Sequence, residues 1–176
     1  VFDEQTVSSI GAVAIFQPSP DIVWVGTGEG APRNSVGAGN GIYRTLDGGT
    51  TWKHLGLESS ERIARIVLDP KNPEIAYVAA MGPAWSEGTE RGVFKTNDGG
   101  ETWTRVLYVD ERTGAADLTM DPANPLKLFA AMWQYRRWPW HRLESSSPTE
   151  GYPSSPSEEL KDSSSKAWKT LILTPG

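Results

Sequence analysis

One motif occurs twice in this chain. GIYRTLDGGTTWKHL spans residues 41–55 and GVFKTNDGGETWTRVL spans 92–107, so Asp47, Gly48, Gly49 and Trp52 return as Asp98, Gly99, Gly100 and Trp103, each 51 positions later. A period of this size constrains a fold more than any local propensity does. It means that one supersecondary unit is stacked against copies of itself.

The stretches around the motif repeat as well. IGAVAIFQPSPDIVWVGTGEG from Ile10, IARIVLDPKNPEIAYVAAMGP from Ile63 and AADLTMDPANPLKLFAAMWQY from Ala115 each join two apolar runs through a proline-containing turn. For the second copy this predicts four strands, Ile63–Leu68, Ile75–Ala80, Gly92–Thr96 and Thr102–Leu107. The first two are nearly continuous in apolar residues, as in strands covered on both faces. The last alternates, with Trp103 and Arg105 on one side, and is expected to be half exposed. Four antiparallel strands per repeat of about 40 to 50 residues is the pattern of a β-propeller blade.

The expected fold class is therefore all-β, a partial ring of about 2.5 to 3 blades. Residues 1–9 read as a lead-in or the end of a preceding blade, 10–55 as the first blade, 63–107 as the second and 115–141 as the first half of a third. Residues 142–176 form a Ser/Pro-rich tail in which KDSSSKAWKTLIL, 161–173, stands as a degenerate copy of the repeated turn. A ring needs roughly four to eight blades. The remaining ones are expected from a longer polypeptide or from a second copy of the chain.

Composition agrees and excludes several functions. Eighteen Gly, 13 Pro and 8 Trp in 176 residues, without a long apolar run at helical spacing, fit short strands and turns. The net charge of −5 comes without a basic block, so nucleic acid is not an expected partner. Nothing approaches the roughly 20 apolar residues of a membrane-spanning helix. There are no cysteines, and His54 and His141 lack ligand spacing, so no metal site is expected. The GTGEG run at 26–30 is followed by no helical pattern, which makes it loop glycine and not a phosphate cradle, and no cofactor is expected.

In the repeated turn the glycines permit positive φ, the Asp carboxylate reaches backbone N–H groups two residues on, and the tryptophan leaves the turn onto a sheet face. Asp47, Gly48, Gly49, Trp52, Asp98, Gly99, Gly100 and Trp103 are accordingly read as structural. The pattern Ser/Thr-x-Asp-Gly-Gly-x-Thr-Trp resembles the Asp-box, or bacterial neuraminidase repeat. The longer strings VGTGEGAPRNS, ERIARIVLDPKNPEIAYVAAMG, ERGVFKTNDGGETW and AAMWQYRRWPW are similar to large bacterial propeller proteins described as sortilin-like or glycosyl-hydrolase-like, over about residues 8 to 141. That resemblance implies an exported protein, extracellular or periplasmic. The Asp-box itself is shared by sialidases, xyloglucanases, sortilin-type receptors and photosystem assembly factors.

Propeller geometry places the second-to-third-strand loops and the inter-blade loops on the face opposite the repeated turns. These loops supply the ligand-binding candidates Arg33, Trp85, Arg91, Trp133, Tyr135, Arg136, Trp138 and Trp140. Aromatic planes beside guanidinium groups suit sugar rings and peptides alike. Hydrolysis of a glycoside needs two carboxylates about 5 to 10 Å apart. Glu29, Glu87 and Asp110 are the candidates, but no motif fixes a pair among them. The expectation is a sortilin-like module binding protein or carbohydrate, with a sialidase- or xyloglucanase-like hydrolase fragment as the alternative and catalysis the less favoured role.

Overall fold

The computed structural model describes residues 2–31 and 37–134, and the backbone of 167–172. The fold is all-β. The first sheet contains β1 (Ile10–Ile15), β2 (Val23–Thr27), β3 (Ile42–Thr45) and β4 (Lys53–His54), hydrogen-bonded in chain order. The second repeats this with β5 (Ile63–Leu68), β6 (Ala76–Ala80), β7 (Gly92–Thr96) and β8 (Thr104–Leu107). The third contains β9 (Thr113–Asp121), β10 (Asn124–Gln134) and β11 (Ala167–Ile172), in the order β11-β10-β9. All pairings are antiparallel.

The strands of the second sheet follow the sequence reading except at β6, which begins one residue later at Ala76, and at β8, which begins at Thr104. Thr102 is retained by the preceding turn, where its N–H and its hydroxyl both donate to Asp98. In the third sheet, β11 pairs with β10 from Met132↔Ala167 to Lys127↔Ile172, so the stretch read as a degenerate turn supplies a third strand.

The sheets stack face to face with their first strands adjacent, β1 beside β5 and β5 beside β9. Between the first and second, Ile63 and Ile66 pack with Trp24, Ile42 and Leu55, and Trp103 lies edge-on to Trp24 at 6.3 Å. The Trp103 Nε1–H donates to the Leu55 carbonyl at 2.7 Å, and Arg44 crosses to both oxygens of Glu74 at 2.6 and 3.0 Å. Between the second and third, Tyr77, Ala79 and Val93 meet Ala115, Leu118, Leu128 and Ala130.

Residue size sets the spacing at the first junction. A Cβ on Gly26 would lie 2.4 Å from Ile63 Cγ2, so glycine is required for β5 to approach β2. The middle strand β6 is buried throughout, as continuous apolar sequence implies, whereas β1 exposes Ile10, Val13 and Ile15. No described sheet lies against that face.

Candidate functional site

The stacked sheets have two ends. At one end are the Asp-Gly-Gly turns, in which Gly48 and Gly49 adopt φ of 67° and 93° and Gly99 and Gly100 adopt 72° and 95°. Asp47 accepts from the Thr45 hydroxyl at 2.7 Å and from the Thr51 N–H and hydroxyl at 2.8 and 2.7 Å. Asp98 accepts from the Thr96 hydroxyl at 2.7 Å and from the Thr102 N–H and hydroxyl at 3.0 and 2.5 Å. The hydrogen bonds of Thr45 and then Thr51 hold the Asp47 carboxyl well below the usual range, and those of Thr102 and then Thr96 hold Asp98 at about 2. Each carboxylate draws all these donors from its own turn. The arrangement keeps both acids ionised and spends their lone pairs on closing the hairpin.

The opposite end collects the β2–β3 and β6–β7 loops and the end of β10. A cleft of about 450 Å³ opens there, with Glu29 and Gly30 from the first sheet, Met81 and Ala64 from the second, and Ala116 and Trp133 from the third. Gly11, Ala64 and Ala116, each second in its unit, form part of the lining. Small residues at this repeated position leave the space that larger side chains would fill. Glu29 is set by a two-way link to Gly37, donating its N–H to the Gly37 carbonyl at 2.9 Å and accepting the Gly37 N–H on Oε2 at 3.4 Å. The cleft therefore has a carboxylate and an indole contributed from different sheets, an arrangement able to hydrogen-bond and stack one sugar ring.

A larger groove of about 620 Å³ runs between β5 and β9 beside the two proline turns. Of its charged groups, Arg65 and Asp117 are paired at 2.8 Å and Asp121 lies 3.9 Å from Lys127 Nζ, and it contains none of the candidate residues. The smaller cleft is the better candidate because an aromatic platform and a carboxylate meet in it.

Of the sequence candidates among the described residues, only Glu29 and Trp133 come together there. Trp85 is exposed on the β6–β7 loop. Glu87 pairs with Arg112 Nε at 2.9 Å, and the Gly88 N–H donates to the Glu111 carbonyl at 3.1 Å, tying this loop to the β8–β9 connection. Asp110 accepts from the N–H groups of Arg112 and Thr113 at 2.8 and 2.7 Å. Burial pushes its carboxyl up, but these hydrogen bonds outweigh that and lower it. Arg91 is fully buried, and its guanidinium donates to the carbonyls of Met81, Pro83 and Ser86. Arg33, Tyr135, Arg136, Trp138 and Trp140 lie outside the described residues.

Sequence reasoning missed Met81 and the trio Gly11, Ala64 and Ala116. The small side chain recurring at one position of the repeat was the signal available for the trio. Among the described residues no three His, Asp or Glu side chains gather as a metal cage, and no helix is long and apolar enough to cross a membrane.

No family model matches the chain. It is similar to a probable oligoxyloglucan-reducing end-specific xyloglucanase of Neosartorya fischeri, 28% identical over 81 residues, which are 45% of this chain and 10% of that protein. Its fold is similar to that of an ancestral GH74 enzyme, with TM-score 0.56 and 18% identity over 76% of this chain and 17% of that one. A Niastella koreensis GH74 enzyme aligns at TM-score 0.49 and 20% identity over 70% of this chain and 17% of that one. The chain thus spans about a tenth of the length of the curated relative it matches.

These findings correct two expectations. The curated protein it resembles is a xyloglucanase and the similar fold is that of a GH74 enzyme, so the assignment to an Asp-box, bacterial-neuraminidase-repeat or sortilin-like family does not hold. The reason is physical: an Asp-Gly-Gly-x-Thr-Trp turn is a local way of closing a hairpin and carries no information about the ligand. The ranking of catalysis below binding is also overturned, because the likeness runs to proteins that bear enzyme names.

Proposed function

We propose that this chain is a portion of a β-propeller glycoside hydrolase acting on a xyloglucan-type polysaccharide. In this reading the three sheets are consecutive blades and the cleft between Glu29 and Trp133 is part of the glycan-binding surface. The observation that carries it is the placement of one carboxylate and one indole, from the first and third sheets, around a single cleft. Trp133 offers its face to the apolar side of a glucosyl ring, and Glu29 accepts hydrogen bonds from hydroxyl groups at the ring edge. Trp85 extends the aromatic surface along the β6–β7 loop, and Arg91 acts on a ligand only through the loop whose carbonyls it holds.

Inverting and retaining hydrolysis both require two carboxylates flanking the scissile bond. Among the described residues the cleft lining supplies one, Glu29, while Glu87 is paired with Arg112 and Asp110 closes its own turn. In this reading the second acid lies outside the described lining of this cleft. A polymer of this kind is met outside the cell membrane, which supports an extracellular or periplasmic location.

Titration calorimetry with xyloglucan oligosaccharides tests the reading. Trp133→Ala is expected to weaken binding about tenfold, roughly 1.4 kcal/mol, with Glu29→Gln weakening it less. Unchanged affinity in Trp133→Ala, with the variant folded, would remove the cleft from the reading.

A further inference from the structure

The three sheets open alike except for one buried charge. The Ser9 carbonyl accepts the Gly28 N–H as the Arg62 carbonyl accepts the Met81 N–H, and Gly114 stands opposite Trp133 at the same place in the third sheet. Serine and glycine serve at this position in two of the sheets, so the repeat itself does not require a long cation there. Arg62 is nonetheless 1% exposed, and its Nε has no acceptor among the described residues. Burying a guanidinium is costly unless its other hydrogen bonds offset the lost water.

Those hydrogen bonds run toward both walls of the cleft. Arg62 Nη1–H donates to the Gly82 carbonyl at 3.3 Å and to Glu61 Oε2 at 3.1 Å. Gly82 lies in the β6–β7 loop, directly after Met81 of the cleft lining. Glu61 adjoins the other wall. Its carbonyl accepts the Gly39 N–H at 2.7 Å, and a Cβ on Gly28 would fall 1.9 Å from that oxygen. Gly28 and Gly39 flank the part of the β2–β3 loop in which Glu29 is linked to Gly37. In aiming its carbonyl at this loop Glu61 adopts φ of 52°, a left-handed conformation that is strained for any residue with a Cβ. Such strain persists only where neighbouring contacts enforce it, and the bond from Arg62 to the Glu61 carboxylate is one of these.

We infer that Arg62 is a positioning residue, which holds the β2–β3 loop through Glu61 and the β6–β7 loop through Gly82, and so fixes how far Glu29 stands from Met81 without lining the cleft itself. Arg91 holds the carbonyls of the second loop alone, whereas Arg62 couples loops from two different sheets. The inference rests on the glycan reading only for what occupies the cleft; the coupling of the loops stands on the contacts above.

Hydrogen exchange of backbone amides, followed by NMR on the full chain, tests it. In Arg62→Met the Gly39 amide should exchange at least about tenfold faster, because Glu61 is no longer held in its strained conformation, while the buried Gly100 amide at the opposite end keeps its rate. Adding Glu61→Gly, which takes the same φ freely, should return the Gly39 rate toward that of the parent. Affinity for xyloglucan oligosaccharides should fall about tenfold in Arg62→Met, although Arg62 is no part of the lining. Unchanged protection at Gly39, or equal acceleration at Gly39 and Gly100, overturns the inference. So does failure of both Arg62→Met and Arg62→Ser to fold, since the guanidinium would then serve the sheet and not the loops. Full affinity in Arg62→Met, with a parent that binds, overturns it as well. A parent chain that binds no xyloglucan oligosaccharide removes the glycan reading instead, and the rates at Gly39 and Gly100 then decide the role of Arg62.

Discussion

The two junctions between sheets solve the same packing problem with different residues, and this allows a sharp test. At the first junction Gly26 on β2 faces Ile63 on β5. At the second, the equivalent strand positions carry Ala79 and Ala115. Gly26→Ala puts a Cβ 2.4 Å from Ile63 Cγ2 and 2.7 Å from Ile63 Cβ, where ordinary contact begins at 3.4 Å, so the sheets must part by about 1 Å or Ile63 must leave its rotamer. Overpacking of this kind costs about 1–3 kcal/mol. Ile63→Ala alone removes a fully buried side chain from the same junction and costs about 2–5 kcal/mol. The double variant reproduces the Ala–Ala pairing of the second junction. Its cost should fall below the sum of the single costs by about 1–2 kcal/mol, within the coupling found for contacting residues. Urea unfolding followed by far-ultraviolet circular dichroism measures all four corners of the cycle. Additive costs, or a Gly26→Ala variant as stable as the parent, would refute the claim that residue size at these two positions sets the sheet spacing.

Trp103→Phe should lower stability by about 0.5–1.5 kcal/mol beyond what Trp52→Phe does, because only Trp103 loses a hydrogen bond, the one to the Leu55 carbonyl; equal losses in parallel urea titrations would contradict this. Gly100→Ala should destabilise the chain, since φ is 95° and the new Cβ would fall 2.6 Å from Leu55 Cδ1, whereas Gly56→Ala meets no atom within 4 Å and should cost only the strain of its φ of 83°. Asp98 titrates at about 2 when folded against an ordinary 3.8, so its contribution is fully present above the unfolded value and is lost as pH falls from about 4 through about 2. Asp98→Asn should flatten that part of the stability profile, and an unchanged acid limb would show that the turn hydrogen bonds do not stabilise the carboxylate.

The strand pattern was legible in the sequence wherever structure depends on neighbours a few residues away. Continuous apolar runs gave the buried β6, and the Asp and double Gly of each turn marked a hairpin closed by its own carboxylate, although the N–H it holds is four residues on and the threonine hydroxyls that share in it were not read. Strand order also separates the loop end, where the candidate cleft opens, from the turns. The composition of the cleft was harder to read. Arg91 looks like a ligand residue in sequence, but it lies beneath the β6–β7 loop and bonds to its carbonyls. Glu87 and Asp110 look like candidate acids, yet one is paired with Arg112 and the other closes a turn. Whether a charged side chain meets solvent or backbone depends on the path of a loop, and no local residue pattern encodes that path.

Repetition in the sequence therefore determined the unit: antiparallel strands, hairpin turns closed by their own side chains, and apolar faces that require a neighbouring sheet. Tertiary structure alone decided which residues of different units would meet. Glu29 and Trp133 belong to sheets separated by a complete repeat, and they share a cleft because stacking brings the mouths of the first strands together above small side chains. Local propensity acts over a few residues, whereas this encounter depends on sheet spacing, which is set at buried positions such as Gly26 and Ile63.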